Sequence, residues 1–359
     1  YRWFIGYRLD EELPDHSTLS RALDRMGDDV FDQLFKRSVA QCQKSGLLSG
    51  KVLHLDATTI RADLDIKKVN KSNSSDKDAR FGRFPGGSKK PGYKQDTIAD
   101  GKKRVIVGVT VKPANAPDDS DMSLILDDVI DRLGFSPEAL CADGAYGSGK
   151  NCALLEERGM RLISPPQKTL SREGRFTVEE FVFDEANDVF VCPAGKRLQY
   201  IGDEVATRKR RRYAALRSVC GVCDWKSCCT TYSRREIKVS AHHGSLVRLR
   251  ADSKTESFKK LYRQRSPVIE GVFAEAKQWH GLGRAWRRGL MKMRIQSLLI
   301  ASVMNYKRLG ALCRLLLQLE QRRGRALRAF WSNLKKAMKF LQSHPSDGIL
   351  TIAFAQNGG

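Results

Sequence analysis

The chain of 359 residues is strongly basic, with 64 Lys plus Arg against 41 Asp plus Glu and a formal net charge of +23. Its length suffices for two or three domains, and 41% apolar residues are enough to build cores, which excludes a disordered chain. The longest uncharged apolar run, Leu298 to Met304, is far shorter than the ~20 residues of a membrane span. The N-terminus also lacks the layout of a secretory signal. We therefore expect a protein that is neither membrane-bound nor secreted.

The positive charge is concentrated in the last third of the chain. Residues 1–50 carry 7 basic and 8 acidic groups, net −1, whereas residues 256–359 carry 20 basic and 5 acidic groups, net +15. A second basic cluster runs from Arg208 through Arg210 and Arg211 to Arg212. Such runs attract phosphate backbones without reading sequence, although a single run is more often a solvated helix face. The size of the imbalance favours nucleic acid as the partner.

Residues 1–50 are predicted to form a helical N-terminal domain of short helices. The stretch from Leu13 to Ser20 offers a turn and N-cap residues, and apolar residues then recur at Leu19, Leu23 and Met26. Because the segment is almost neutral, dimerisation or plain helical packing is as well supported as DNA contact.

Residues 51–164 alternate between strand and helix patterns. An apolar strand, Val52 to Leu55, is predicted to end at Asp56, and another, Ala139 to Ala142, at Asp143. Between and after them we expect a mobile loop at 67–90, strands near 93–99 and 104–111, a helix within 122–133, a helix at 150–158 and a strand at 160–164. This alternation predicts a mixed α/β sheet flanked by helices, with carboxylates at strand ends, where sites form in such sheets.

The rest of the chain is predicted to contain three further segments. Residues 165–255, with most of the cysteines, form an inserted, partly β subdomain; residues 256–320 complete the catalytic domain with helices; and residues 321–359 form a basic tail. No internal repeat is present. The turn Gly144-x₂-Gly147-x-Gly149 lacks the spacing of a dinucleotide-binding loop, which disfavours a small-molecule enzyme.

Three acids fit the chemistry of a phosphoryl-transfer site. Transfer on nucleic acid uses two divalent cations, and Mg²⁺ prefers carboxylate oxygens on rigid elements. Asp56 and Asp143 fit as strand-end ligands. For the third, Ser266 resembles an N-cap and Pro267 a first helical residue, which places Glu270 just past the first turn of a helix. Lys277 lies two turns further along the same face, where it can contact a phosphate or base.

Several stretches in chain order resemble the DDE transposases of bacterial insertion sequences, in the group with a Tyr-Arg-Glu-Lys signature. They are Leu13-Pro14-Asp15-His16-Ser17-Thr18-Leu19-Ser20, Asp56-Ala57-Thr58-Thr59-Ile60, Gly92-Tyr93-Lys94, Pro113-Ala114-Asn115-Ala116-Pro117-Asp118, Ala142-Asp143-Gly144-Ala145-Tyr146-Gly147, Arg265-Ser266-Pro267-Val268-Ile269-Glu270-Gly271, Ala276-Lys277 with His280-Gly281, and Asn305-Tyr306-Lys307-Arg308-Leu309.

This resemblance implies an RNase H-like catalytic core with Asp56, Asp143 and Glu270 as the metal-binding triad for two Mg²⁺ ions, which Mn²⁺ can replace. It also implies Tyr262, Arg265 and Lys277 as signature residues that handle the element end. The chemistry implied is strand cleavage followed by attack of the freed 3′-hydroxyl on target DNA. The basic residues expected to contact DNA in addition are Arg284, Arg287, Arg288, Arg208, Arg210 and Arg211.

The implied setting is the bacterial cytoplasm, in association with the nucleoid. The partners are double-stranded DNA, both the element ends and the target, and further copies of the chain assembled on that DNA; no membrane is involved. Asp96 stands where relatives often have histidine, and the gap from Arg265 to Glu270 is one residue longer than the signature spacing. Because the chain begins at Tyr1 rather than Met, we expect a preceding N-terminal part in the full protein.

Five of the nine cysteines lie in the predicted insertion. The pattern Cys220-x₂-Cys223-x₄-Cys228, with a distant Cys192-Pro193, predicts a tetrahedral structural zinc site. The fourth ligand remains open between Cys228 and Cys229, and His242 or His243 can replace a thiolate. The alternative is that these cysteines are small buried side chains without metal.

Two rivals to an active transposase remain. One is an inactive or domesticated DNA-binding protein, and the other is a nuclease that cuts DNA without strand transfer. The presence of all three acids favours activity.

Overall fold

A computed structural model describes residues 6–13, 15–64, 76–118, 120–167, 175–204 and 210–321, together with residues 335 and 339. Three predicted features lie outside these residues: Arg208, the part of the predicted loop at 67–75, and nearly all of the predicted basic tail. No helix in the described ranges is both long and apolar enough to cross a membrane.

Up to residue 163 four strands follow the first helix, and helices and strands then alternate. The strand Arg80–Arg83 and the start of the strand Lys89–Asp100 lie in the segment 67–90 predicted as a loop, so that prediction is wrong there. In chain order the described elements are α1 His16–Lys44, β1 Val52–Arg61, β2 Arg80–Arg83, β3 Lys89–Asp100, β4 Ile106–Pro113, α2 Met122–Leu133, β5 Ala139–Cys141, α3 Gly149–Glu156, β6 Arg161–Ile163, β7 Val182–Asp184, β8 Val189–Val191, β9 Arg197–Asp203, β10 Arg210–Ala214, α4 Arg217–Gly221, α5 Lys226–Cys229, β11 Glu236–Ser240, α6 His243–Asp252, α7 Glu256–Arg263, α8 Arg265–Trp279 and α9 Leu290–Gln321.

The first six strands form one mixed sheet with the order β2-β3-β1-β5-β6, and β4 also pairs with β3. Strand β1 is antiparallel to β3 and parallel to β5, and β5 is parallel to β6. The prediction of a mixed α/β sheet with helices is thus confirmed. The apolar strands and α2 supply a continuous buried core that includes Leu53, Leu55, Leu126 and Leu140.

Strand β1 does not end at Asp56, and this prediction is wrong. The strand continues to Arg61 because β3 pairs with it along its whole length, from Leu53 opposite Asp100 to Arg61 opposite Gly92. A Cβ atom on Gly92 would lie 2.2 Å from the carbonyl oxygen of Ile60, so the close approach of the two strands requires glycine. Asp56 therefore lies inside a strand that is held on one side by β3.

The N-terminal segment is helical, as the sequence predicts, and α1 consists of two helices that meet at a kink at Gly27. Asp15 caps α1 by accepting a hydrogen bond from the backbone N–H of Thr18 at 2.8 Å. The helix bends at Gly27, whose φ of 70° is tolerated by glycine, and then continues because apolar residues recur beyond the bend. Phe35 and Val39 are fully buried in the same core as the sheet.

Helix α1 lies along α9, and their facing charges are complementary. Asp24 pairs with Arg287 at 2.7 Å and with Lys292 at 3.0 Å, and Asp28 pairs with Arg294. The acids of the nearly neutral N-terminal segment therefore neutralise part of the basic charge in the last third of the chain.

Asn305 joins α9 to the edge of the sheet. Its side-chain oxygen accepts a hydrogen bond from the N–H of Ile106 at 2.9 Å, and its amide donates to the carbonyl of Ile106 at 2.8 Å and to Ser38 of α1 at 3.1 Å. Ile106 lies where the β3–β4 register shifts, so its backbone groups need a partner from outside the ladder.

A second sheet lies within the predicted insertion. Its five strands follow in the order β11-β10-β9-β8-β7, each antiparallel to its neighbour in the chain. The sheet has a small core of seven buried residues, which are Phe181, Phe190, Leu198, Tyr213, Ala215, Ile237 and Val239. Arg248 of α6 pairs with Glu156 of α3 at 2.9 Å and with Glu185 at 2.8 Å, which ties this segment to the larger sheet.

Helix α8 begins at Arg265, so the prediction that Ser266 caps it is wrong. Gln264 already has helical backbone angles, because the chain passes from α7 into α8 with almost no interruption, and no side chain caps the helix. Pro267 still lies in the first turn, where a missing N–H costs nothing. Glu270 follows in the second turn.

Candidate active site

Two of the predicted catalytic acids lie close together: Asp56 is within β1, and Asp143 follows the end of the neighbouring parallel strand β5. In the β1–β5 register His54 is opposite Cys141, and two residues further along each chain come Asp56 and Asp143. Asp143 keeps an extended backbone and its Oδ1 accepts a hydrogen bond from the N–H of Ala145 at 3.0 Å. The parallel spacing of roughly 5 Å places the two carboxylates close together, and the Asp143 charge contributes to a raised pKa at Asp56.

A cation already neutralises Asp56. The guanidinium of Arg265, at the start of α8, donates from Nη1 to Oδ2 of Asp56 at 3.0 Å, and the two side chains are 14% and 19% exposed. Burial raises the pKa of Asp56 to about 6, and the Arg265 charge opposes that rise. Arg265, which the sequence assigned to DNA, thus contacts the first of the predicted catalytic acids directly and fixes α8 against β1.

Glu270 and Lys277 lie on one face of α8, as the sequence predicts for residues seven positions apart. Glu270 is exposed, and it makes no hydrogen bond or ion pair with the residues that the structure describes. Lys277 is half-buried, and burial lowers its pKa. Within the described ranges no three Asp, Glu, His or Cys side chains are grouped closely enough to hold a metal ion. The structure therefore brings Asp56 and Asp143 together and leaves Glu270 on the helix beside them.

Two further acids, Asp96 and Asp118, lie near the pair. Tyr146 is 1% exposed with a hydroxyl that has no partner among the described residues, and its pKa is raised far above the ordinary value. Burial is the main cause, and the charges of Asp96, Asp118, Asp56 and Asp143 add to it. The phenol of Tyr146 is therefore buried within reach of four carboxylates.

Two lysines hold the additional acids in place. Lys94 donates to Asp118 at 2.6 Å and to the carbonyl of Ala116 at 2.8 Å, and Lys112 pairs with Asp96 at 2.6 Å. These contacts connect two of the motifs quoted above. Lys94 of Gly92-Tyr93-Lys94 holds the segment from Pro113 to Asp118 in place. The sequence signal that could have identified Asp118 is a lysine in one motif, Lys94, followed by an acid in the next motif along the chain.

Residues 191–310 match the family described as "Transposase DDE domain". The match covers about a third of the chain; it includes Glu270 and Lys277 and begins after Asp56 and Asp143. A transposase DDE domain is the domain of a phosphoryl-transfer enzyme, and such domains use divalent metal ions. No curated protein matches the chain.

Outside the pair of acids, most arginines predicted to contact DNA bind the chain's own acids or carbonyls. Tyr262 stacks on Phe258 with 6.3 Å between ring centroids, and Arg210 is exposed on β10. The contacts of the others are Arg284 with Asp63, Arg287 with Asp24 at 2.7 Å, Arg288 with the Asp63 carbonyl at 3.4 Å, and Arg211 with Asp188 at 2.6 Å. DNA contact by these residues stays a prediction.

The cysteines predicted to bind zinc lie on the smaller sheet of the chain. Cys192, Cys220 and Cys223 line one cavity there, and the fourth thiol at that cavity belongs to Cys229, whereas Cys228 is exposed. His243 is buried against the rings of Phe183 and Phe190 instead.

Proposed function

We propose that the chain is a DNA transposase that binds the ends of an insertion sequence, cleaves a strand and transfers it to target DNA, on an RNase H-like core. The observation that carries this proposal is the pair Asp56 and Asp143, close together within β1 and just after the parallel strand β5, with the cation of Arg265 on one of them. The match to a transposase DDE domain, which contains Glu270, supports it from the other end of the chain.

The donor chemistry of the site fits divalent metal ions. Asp56, Asp143 and Glu270 would hold two Mg²⁺ ions, or Mn²⁺ in their place, because hard cations prefer carboxylate oxygens. When bound, the ions activate the attacking oxygen and neutralise the leaving oxygen. The guanidinium on Asp56 shows that the first acid accepts a positive charge at that position.

The other residues would position the DNA. Lys277, on the same face of α8 as Glu270, would contact a phosphate of the bound strand, and Tyr262 and Arg265 would handle the element end. Since α8 is fixed to β1 through Arg265, movement of that side chain onto DNA would release Asp56 for metal at the same moment. In-line positioning and charge neutralisation account for most of the rate in this class of reaction.

The proposal includes assembly on DNA. Two element ends must be brought to one target, so we propose a homo-oligomer that forms on double-stranded DNA in the bacterial cytoplasm. For the N-terminal, catalytic and inserted segments we propose the boundaries that the sequence predicts.

The experiment uses the full chain, Mg²⁺, duplexes carrying the two ends of the element that encodes it, and a supercoiled plasmid as target. We expect joined products from the wild type. Because Asp143→Asn lacks one metal-binding carboxylate, we expect it to lose both cleavage and joining. Its DNA binding should stay within about twofold of the wild type. Asp131→Asn, at an exposed position on α2, is the matched control and should retain joining. Undiminished cleavage by Asp143→Asn would refute the assignment of the triad.

The same experiment separates the rival functions. Cut but unjoined ends would indicate a nuclease, and binding without cutting would indicate an inactive DNA-binding protein.

A further inference from the structure

We propose that the smaller sheet binds one structural zinc ion through Cys192, Cys220, Cys223 and Cys229, a ligand set that contains Cys229 in place of its neighbour Cys228. This site is separate from the proposed catalytic centre, and it would take a soft divalent cation that prefers thiolate ligands.

The four thiols line a single cavity of about 30 Å³. A volume of this size holds roughly one water-sized occupant, and a zinc ion with four sulfur ligands needs no more. The thiols surround the cavity without three of them meeting at one point in the described part of the chain. Binding would release their protons and draw the four sulfur atoms onto the ion by side-chain rotation.

Backbone N–H groups already point at two of the sulfur atoms. The N–H of Lys196 donates to Sγ of Cys192 at 3.3 Å, in a turn closed by Gly195, and the N–H of Arg235 donates to Sγ of Cys220 at 3.5 Å. Each donor holds its sulfur atom in a fixed orientation at the cavity, as the outer contacts of metal ligands do. A cysteine that only fills space in a core does not need such a donor.

Positive side chains surround the same cavity. Lys196, Lys226 and Arg235 contribute to its lining. Four thiolates and one Zn²⁺ carry a net charge of −2, so these cations offset the excess negative charge. Arg235 also donates to the carbonyl of Cys229 at 2.9 Å, which fixes the backbone of that ligand.

Helix α5 decides between the two adjacent cysteines. Cys228 and Cys229 are consecutive at the end of this four-residue helix, so their side chains point about 100° apart. Cys229 lines the cavity together with Cys192, Cys220 and Cys223. Cys228 is exposed, with its sulfur 3.8 Å from the hydroxyl of Ser227.

The site would compensate for a small core. Seven buried residues serve five strands and two short helices, and small modules of this kind are commonly stabilised by a metal. The loops that carry the cysteines would be held together by the ion.

The test measures zinc in the purified full chain and in two adjacent variants, Cys229→Ser and Cys228→Ser. We expect about one zinc per chain in the wild type and in Cys228→Ser, and loss of zinc in Cys229→Ser. Asp143→Asn should keep its zinc, so a failed cleavage assay does not bear on this site. Loss of zinc in Cys228→Ser with retention in Cys229→Ser would overturn the ligand set.

A second measurement is independent of whether Cys229→Ser folds. Cobalt replaces zinc in wild type and Cys228→Ser, and the intensity of the sulfur-to-cobalt absorption reports the number of thiolates. Identical four-thiolate spectra in the two proteins support the site. A weaker spectrum in Cys228→Ser, or a wild type that takes up neither metal, would refute it.

Discussion

Replacing Arg265 by methionine removes the cation on Asp56 and keeps most of the apolar length of the side chain. Loss of one partner from a fully buried pair costs about 3–5 kcal/mol, and loss of a surface pair about 0–1 kcal/mol. The Arg265–Asp56 pair lies between these limits, since its side chains are 14% and 19% exposed. We expect Arg265→Met to lower the free energy of unfolding by about 2 kcal/mol at pH 8.

The size of this loss should depend on pH. Burial raises the pKa of Asp56 to about 6 in the wild type, and removal of the Arg265 charge, which lowers it, raises it further. Above both pKa values Asp56 is ionised, and in Arg265→Met it then lacks its partner. At pH 5 Asp56 is mostly protonated in both proteins. The loss caused by Arg265→Met should therefore fall below about 1 kcal/mol at pH 5.

Urea unfolding in the presence of a chelator measures both values. The set is the wild type, Arg265→Met, Asp56→Asn and the double variant, each at pH 8 and pH 5. In the double variant no buried charge is left unpaired, so we expect a coupling energy of about 1–2 kcal/mol at pH 8. Equal losses at both pH values, or strictly additive effects, would show that the ion pair does not stabilise this contact.

Three further changes test other parts of the molecule. Asn305→Ala leaves the N–H and C=O of Ile106 without partners and should lower the free energy of unfolding by about 2–4 kcal/mol in urea. Burial lowers the pKa of His243 to about 4, so between pH 8 and pH 5 the wild type should lose about 2 kcal/mol more of its free energy of unfolding than His243→Phe loses. The double change Asp24→Asn and Asp28→Asn frees Arg287 and Lys292, while Arg294 keeps its pairing with Asp32 at 3.4 Å, and should steepen the salt dependence of DNA binding by about one to two phosphate contacts, measured by fluorescence anisotropy.

Each of these has a control. Ser38→Ala removes only the third hydrogen bond of Asn305 and should cost about 1 kcal/mol; an equal cost for both variants would contradict the role given to Ile106. His54 is also buried, with a pKa lowered to about 4. Because His54 is present in both the wild type and His243→Phe, its contribution cancels in the comparison. An unchanged salt dependence after loss of the two acids would show that the freed cations do not reach DNA.

Local signals in the sequence predicted the elements that depend on nearby residues. Asp15 caps α1 because a side chain three residues before Thr18 decides that contact. Asp56 and Asp143 were singled out because each follows a short apolar run. Although β1 continues past Asp56, the parallel pairing of the two runs brings the acids that follow them together.

Contacts between distant residues could not be predicted in the same way. The end of β1 depends on its pairing with β3 rather than on its own hydrophobic run. Arg265 reaches Asp56 across 209 positions, and nothing in the spacing of either motif indicates it. The choice of Cys229 over Cys228 depends on the orientation of one short helix, which two identical neighbouring residues do not reveal.

The smaller sheet interrupts the chain between the acids of the larger sheet and the helix that neutralises one of them. Its strands pair only with chain neighbours, so it can form as soon as it leaves the ribosome. At roughly 10 residues per second, about 20 seconds pass between synthesis of Asp56 and synthesis of Arg265. The strands of the larger sheet end at Ile163 and those of the smaller sheet at Ser240, so both sheets are synthesised before Arg265, and the contact of Arg265 with Asp56 is among the last to form.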